Sequence, residues 1–224
     1  AAEEAGMHGV AVTDETNLFA MVKFYRAALA GGVKPIIGVD LWLNEGGERE
    51  APSRLTLLCQ DRAGFLNLSR LVTRAYLEGE RRATPLVERD WLTRESVAGL
   101  IAMSGAGEGD VGRALTAGRA SQAQRLLRAW KELFGDRYYL ELQRLGRPGE
   151  AQQIAGSVAL AAELDVPVVA TNDVRFLRPD DFESHEARVC IHEGTLIADA
   201  SRPRRYSEEQ YLRSPDEMAR LFAD

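Results

Sequence analysis

The chain has 224 residues, 45% of them hydrophobic, which is ordinary for a water-soluble core and enough for one large α/β domain or two small ones; one domain is the preferred reading. A formal net charge of −6 and a pI near 5.3 exclude general electrostatic attraction to nucleic acid or acidic membrane, so any nucleic-acid role is local or indirect. No apolar stretch approaches the ~18 residues of a membrane span and no basic-then-apolar leader opens the sequence. Cys59 and Cys190 lie in apolar runs rather than a spaced framework, as expected of buried thiols in a reducing, cytoplasmic setting.

The sequence opens without methionine on AAEEAGMHGVAV, which reads as a helix already running into a strand and is expected to be an excerpt of a longer polypeptide. GVAVT, Gly9 to Thr13, is a β-rich run halted by the turn and cap formers Asp14, Glu15, Thr16 and Asn17. Leu18, Met21, Val22, Tyr25 and Leu29 recur at helical spacing up to Gly31 and Gly32, and Lys34 to Leu43 forms a second buried strand through Asp40. The polar loop Asn44 to Ser53 precedes a third strand, Arg54 to Gln60. A helix around Leu66 to Tyr76 ends at Gly79 and a basic loop with Arg81 and Arg82, and a short helical piece follows around Val87, Trp91 and Leu92. Leu100 to Gly105, Tyr138 to Gln143 and Val168 to Thr171 complete six strands, the last read as buried. Helices are expected over Asp110 to Ala117, Ala120 to Phe134, Glu150 to Leu164, Phe182 to Ile191 and Asp216 to Phe222. Strands alternating with helices predict a mostly parallel sheet with helices outside.

The strand ends supply Asp14 and Glu15, Asp40, Ser104 and Gly105, Gln143 to Gly146, and Asp173 with Arg175. In a barrel these converge on one rim, where reactive side chains are presented. Arg175 follows Asp173 by two residues, so in an extended chain both point the same way; a metal site would want histidine there, and the chain supplies a cation. Three rim carboxylates could hold Mg²⁺ through oxygen, against the plainer reading in which Asp14 and Asp173 cap the helices that follow. His185 and His192 are seven apart rather than the three or four of a helical zinc pair, and read as packing or surface residues. SGAGEGD, Ser104 to Asp110, lacks the lysine and glycine spacing of a phosphate loop. The cysteines sit where a thiol is inert. Arg202 to Arg205 reads as a solvated charge run, with contact to phosphates or an acidic partner as the alternative, and Tyr206 and Tyr211 nearby fit a protein-contact surface.

Four strings, AVTDETNLFAMVKFYRAALAGGVKPIIGVDLWL, SRLTLLCQDRAGFLNLSRLVTRAYLEG, DRYYLELQRLGRPGE and VPVVATNDVRFLRPDDFESHEARVCIHEGTLI, resemble in order the N-terminal PHP domain (polymerase and histidinol phosphatase) of bacterial replicative DNA polymerase III alpha subunits. The resemblance runs from end to end. It implies an α/β, TIM-barrel-like, distorted (β/α)7 barrel over residues 1–224, without the opening strand that carries the family's His-x-His motif, and with its C-terminal residues leading toward a polymerase core. Where metal-binding members read Thr-Asp-His, this chain has Thr13, Asp14 and Glu15; where they have Glu in the Pro-Ile-Ile-Gly strand, it has Asp40. Ala106 replaces their Cys, Leu145 replaces a His, and Asn-Asp-Val-His becomes Asn172, Asp173, Val174 and Arg175.

Imidazole and thiolate thus give way to alkyl, methyl and guanidinium groups. The resemblance, to the proteobacterial members, implies no catalytic residue, cofactor or metal in this domain, any residual ion resting on Asp14, Glu15, Asp40 and Asp173. In the ion's place Arg175 would pair with Asp173, Glu15 or Asp40. It further implies a silent module that stabilises the polymerase and docks the proofreading exonuclease, the epsilon subunit. Nucleotidyl transfer, its Mg²⁺ and the DNA contacts would belong to the remainder of the alpha chain. Competing expectations are a residual metal-dependent phosphoesterase, either 3′→5′ exonuclease or pyrophosphatase, and more distantly a free-standing metabolic barrel enzyme.

Overall fold

A computed structural model describes residues 1–46, 51–81, 84–199 and 201–223; residues 47–50 of the expected polar loop and Arg82 of the expected basic loop lie outside the described residues. The elements are β1 (Gly9–Glu15), α1 (Met21–Ala30), β2 (Lys34–Asn44), β3 (Ser53–Cys59), α2 (Arg62–Glu78), β4 (Glu80–Arg81), β5 (Thr84–Pro85) and β6 (Val87–Glu88). They continue as β7 (Leu100–Met103), α3 (Asp110–Thr116), α4 (Ala120–Phe134), β8 (Tyr138–Leu142), α5 (Glu150–Leu164), β9 (Val168–Ala170), α6 (Phe182–Glu193) and α7 (Pro215–Leu221). Local chemistry sets the helix starts. The Asp61 carboxylate accepts the Gly64 N–H at 2.8 Å to cap α2, and Ser214 with Glu217 forms a reciprocal capping box ahead of α7.

Among the described residues the main sheet has seven strands, ordered β1-β2-β3-β7-β8-β9 with β6 added beside the end of β2, and it curls into a distorted half-barrel. It is mixed rather than mostly parallel, because β3 runs antiparallel to both β2 and β7. The cause is covalent: a parallel step needs a crossover of a dozen or more residues, and only a short polar loop joins β2 to β3. Val87 belongs to strand pairing with β2, and the helical piece expected there shrinks to a 3₁₀ turn at Arg89–Trp91. The opening residues form an isolated turn, with Ala5 N–H donating to the Ala1 carbonyl at 2.9 Å, instead of a running helix. β9 ends the sheet as an edge, and Val168, 45% exposed, is not buried as its apolar run suggested.

Strand alternation divides the sheet's two faces. Val39, Leu41, Leu55, Leu57, Tyr138 and Leu140 join the helices in one apolar core. The residues between them, Asp40, Arg54, Thr56 and Glu141, are buried on the opposite, concave face. In the core Trp130 of α4 stacks on Tyr138 with ring centroids 5.8 Å apart, while its indole N–H donates to Asp110 at 2.9 Å. α2 approaches the strand β7 so closely that a Cβ at Gly64 would lie 1.8 Å from the Gly99 carbonyl oxygen.

That contact reverses the usual sign of a glycine substitution in a helix, where alanine is favoured by about 0.5–1 kcal/mol. Gly64→Ala is expected to destabilise by about 1–3 kcal/mol, through forced displacement of packed backbone. Gly107→Ala, where an added Cβ meets nothing within 4 Å, should stay within about 0.5 kcal/mol of the parent in urea unfolding.

Candidate functional site

The reversal of β3 decides which residue reaches the rim. Its first residues, not its last, lie beside the ends of β2 and β7, and register places Asp40 opposite Thr56 and Trp42 opposite Arg54. The Arg54 guanidinium bonds the Asp40 carboxylate through Nη2; through Nη1 it reaches Asp173 Oδ1 at 2.8 Å and Glu108 Oε2 at 3.2 Å. Thr56 Oγ1 donates to the other Asp40 oxygen at 2.6 Å. The side chains of Arg54, Asp40 and Asp173 are 8%, 7% and 2% exposed, so this is a buried bridge and not a surface pair.

Asp173 is the hub of the cluster. Arg175 Nη2 shares Oδ1 at 2.8 Å, and Arg147 Nη2 reaches Oδ2 at 3.2 Å. Gln210 Nε2 donates to Oδ2 at 2.7 Å and to the Asp173 carbonyl at 3.1 Å. Beside them Glu141, buried within β8, accepts the Gly105 N–H at 2.6 Å and the Thr171 hydroxyl at 2.8 Å. Burial pushes the Asp173 carboxyl up, but Arg54, Arg175 and Arg147 outweigh it and hold the group below its ordinary 3.8. Burial lifts Asp40 and Glu141 above their ordinary values, and Arg54 with their hydrogen bonds offsets only part of that. Burial works against the Arg54 charge, and the carboxylates of Asp40, Asp173 and Glu141 outweigh it, so the guanidinium stays protonated.

Of the residues expected at the rim, Asp40, Asp173 and Arg175 are brought together. Arg175 pairs with Asp173, whereas Asp40 is held by Arg54. The Asp173–Arg175 pair does not arise from extended-strand spacing. Asp173 has φ +39°, in the left-handed region, and its carboxylate is taken by guanidinium and amide groups instead of capping a helix. The Asp14 carboxylate accepts the N–H of Ala20, the residue before α1, at 2.8 Å, while α1 itself has no side-chain cap, and the exposed Glu15 accepts the Trp42 indole N–H. Ala106 and Leu145 are buried, and the Leu145 N–H donates to Glu150 at 2.6 Å. Among the described residues no group of three or more His, Cys, Asp or Glu side chains is arranged to hold a metal ion.

The glycines of Ser104 to Asp110 serve close approach to the bridge. A Cβ at Gly105, φ +72°, would lie 2.5 Å from the Arg54 carbonyl oxygen, and one at Gly109 would lie 1.7 Å from that of Ser104. His185 packs between Phe176 and Tyr206, with centroids 5.5 and 4.7 Å away. Burial, and to a lesser degree Asp61, raises the Cys59 thiol to about 11. Arg202 corrects the reading of a solvated basic run: it is buried and pairs with the buried Glu186 at 2.5 Å, while Arg204 and Arg205 remain exposed. After it, residues 207–213 strap the loop that bears Asp173. Arg175 N–H donates to the Gln210 carbonyl at 2.8 Å, and Leu212 N–H to the Phe176 carbonyl at 3.0 Å. The Asn172 side chain donates to the carbonyls of Glu209 and Tyr211 at 2.7 and 2.8 Å.

Arg54, Glu108, Glu141, Arg147 and Gln210 are cluster members that a search of strand C-terminal ends overlooks. Arg54→Met leaves Asp40 and Asp173 without their shared cation, and an expected loss of about 3–5 kcal/mol should appear in urea unfolding. Adding Asp40→Asn should recover part of it. A depressed Asp173 contributes stability that is complete above its unfolded value and lost as pH falls through the lower folded one; Asp40 and Glu141, held high, act with the opposite sign. The stability difference between parent and Asp173→Asn should therefore shrink on titration from about pH 6 to about pH 3.

Residues 1–145 match the PHP domain family. Over 219 residues, 98% of this chain, it is 48% identical to the DNA polymerase III subunit alpha of Pseudomonas aeruginosa and 45% identical to that of Escherichia coli K12, spanning 19% of the length of each. Over all 224 residues it is 48% identical to the corresponding subunit of Xylella fastidiosa, spanning 18% of it. The fold is shared with a solved structure of a candidate metal-dependent phosphoesterase from Bifidobacterium adolescentis, with a TM-score of 0.52, 13% identity, and coverage of 77% of this chain and 79% of that one. The chain belongs to the PHP domain family, and its whole length is similar to one segment of DNA polymerase III alpha subunits.

Proposed function

We propose that this chain is the PHP segment of a DNA polymerase III alpha subunit, catalytically silent in itself, which stabilises the polymerase and docks its proofreading exonuclease, the epsilon subunit. The observation that carries the silent reading is the Arg54 guanidinium bound to both Asp40 and Asp173. A divalent ion needs several oxygen or nitrogen lone pairs directed at one point. Here the two central carboxylates direct theirs at Arg54, Arg175 adds a second fixed charge, and positions 106 and 145 offer a methyl and an alkyl group. These residues do not fit a metal cluster, so no hydrolytic step is assigned to them. The cluster keeps the acidic rim neutralised without an ion, which supports a structural role.

On this reading nucleotidyl transfer, DNA binding and the Mg²⁺ that serves them lie in the remainder of a cytoplasmic replicative polymerase. Among the described residues no helix is long and apolar enough to cross a membrane. The second reading is a metal-dependent phosphoesterase using Asp14, Glu15, Asp40 and Asp173, favoured by the fold shared with the Bifidobacterium protein. Against it stand the commitments of Asp14 to the Ala20 N–H and of Glu15 to Trp42.

Two measurements on the full-length chain test the proposal. With Mn²⁺, Mg²⁺ or Zn²⁺ it should hydrolyse a nitrophenyl phosphodiester no faster than buffer; turnover that disappears in Asp14→Asn would establish the second reading. Titration with the exonuclease subunit should give a stoichiometric complex, and no complex at micromolar concentrations would refute docking. Arg175→His by itself should add no bound zinc by elemental analysis, because positions 106 and 145 still supply no ligand.

A further inference from the structure

The end of the sheet away from the ionic cluster carries a second feature. A parallel crossover lays a helix over the strands it joins, as α1 does between β1 and β2. β2 and β3 pair antiparallel and need no such crossover. Between α1 and α2, beside the start of β2 and the end of β3, a trough of about 810 Å³ remains open. Met21, Val22 and Tyr25 of α1, Phe65 of α2, and Ile37 and Cys59 of the strands line it. Val22 and Tyr25 are 55% and 47% exposed, so apolar surface is left open along the trough.

The charges around this trough are of one dominant sign. Arg26, Lys34 and Arg62 line it, all exposed, and among the described residues none of their side chains has an ion-pair or hydrogen-bond partner. The one carboxylate in the lining, Asp61, is engaged in capping α2. Three uncompensated cations thus border an apolar groove on a chain whose net charge is −6. A groove between two helices takes a third helix by interdigitating side-chain ridges, and bordering cations select the sign of its flank.

We propose that this trough docks an amphipathic helix of a partner protein, apolar on the face it inserts and acidic along its flank. The inference is independent of the reading given to the ionic cluster, which lies at the other end of β2 and β3. Opposite charges, and not apolar area alone, would set which helix is accepted.

The test is a display selection of helices of about five turns, with Leu or Phe fixed at i, i+3, i+4 and i+7 and the flanks randomised. It is panned on the full-length chain, with the Val22→Glu, Tyr25→Glu double variant as counter-selection. Both substituted positions are exposed, and an unchanged urea midpoint certifies that the variant folds. Winning sequences should carry Asp or Glu flanks, bind one to one, weaken as salt rises, and lose about tenfold in affinity to Arg26→Glu, Arg62→Glu. Three results would overturn the proposal: no helix enriched over the counter-selecting variant, neutral or basic flanks among the winners, or dimerisation of the chain through Val22 in sedimentation.

Discussion

A single guanidinium carries the architecture of the concave face. Arg54 lies on β3, Asp40 on β2, and Asp173 beyond β9, separated from Arg54 by 14 and 119 residues along the chain. β7 and β8 stand between β3 and β9 in the sheet, so the bridge acts as a strut across the curl instead of a bond between neighbours. An apolar filling of that space could match it in free energy, since desolvating the charges costs most of what their attraction returns. What the ionic strut adds is a fixed geometry: Asp40, Asp173 and Arg54 satisfy one another only in one relative placement of the strands.

The two faces of the sheet accordingly obey different rules. Outward, Leu41, Leu57 and Leu140 pack on helices, where volume and shape matter and direction does not. Inward, Thr56, Thr171, Gln210 and the Gly105 amide complete the lone pairs that the guanidinium groups leave on the carboxylates. Glycines at 105 and 109 let the loop backbone come close enough to Arg54 to do so. Leaving a carboxylate of such a network unsatisfied is costly, so its acceptors draw partners from many elements, while the buried Nε atoms of Arg54 and Arg175 find no hydrogen-bond partner.

Much of this was legible in the sequence, and what was not has a physical reason. The apolar periods located all six expected strands and every long helix, because burial on one side imposes them. Asp40, Asp173 and Arg175 were found by asking what lies at strand C-termini. Arg54 was not, because that question assumes parallel strands. The correcting signal was present: no helical period separates Leu43 from Arg54, so the chain between them can only turn back. Glu141 was hidden inside the YYLELQ run, where a buried carboxylate looks like an outward-facing residue on an alternating strand. Gln210 and Arg147 lie on irregular segments that meet Asp173 only in the folded chain, and no periodicity announces them. The basic run at Arg202 misled because one arginine finds a buried partner, Glu186, that only tertiary proximity reveals.

The strap formed by residues 207–213 bears on how this protein can be dissected. The match to the PHP family pattern spans residues 1–145, and a fragment designed on that limit, or stopped after α6, would strip Gln210 from Asp173 and the Glu209 and Tyr211 carbonyls from Asn172. The hub carboxylate would then meet solvent on one side, and the loop beyond β9 would have no backbone to pair with. The contacts that complete the hub thus come from residues well beyond the matched pattern, and they reach as far as α7, where the Arg144 guanidinium holds the Leu221 carbonyl at 2.8 Å.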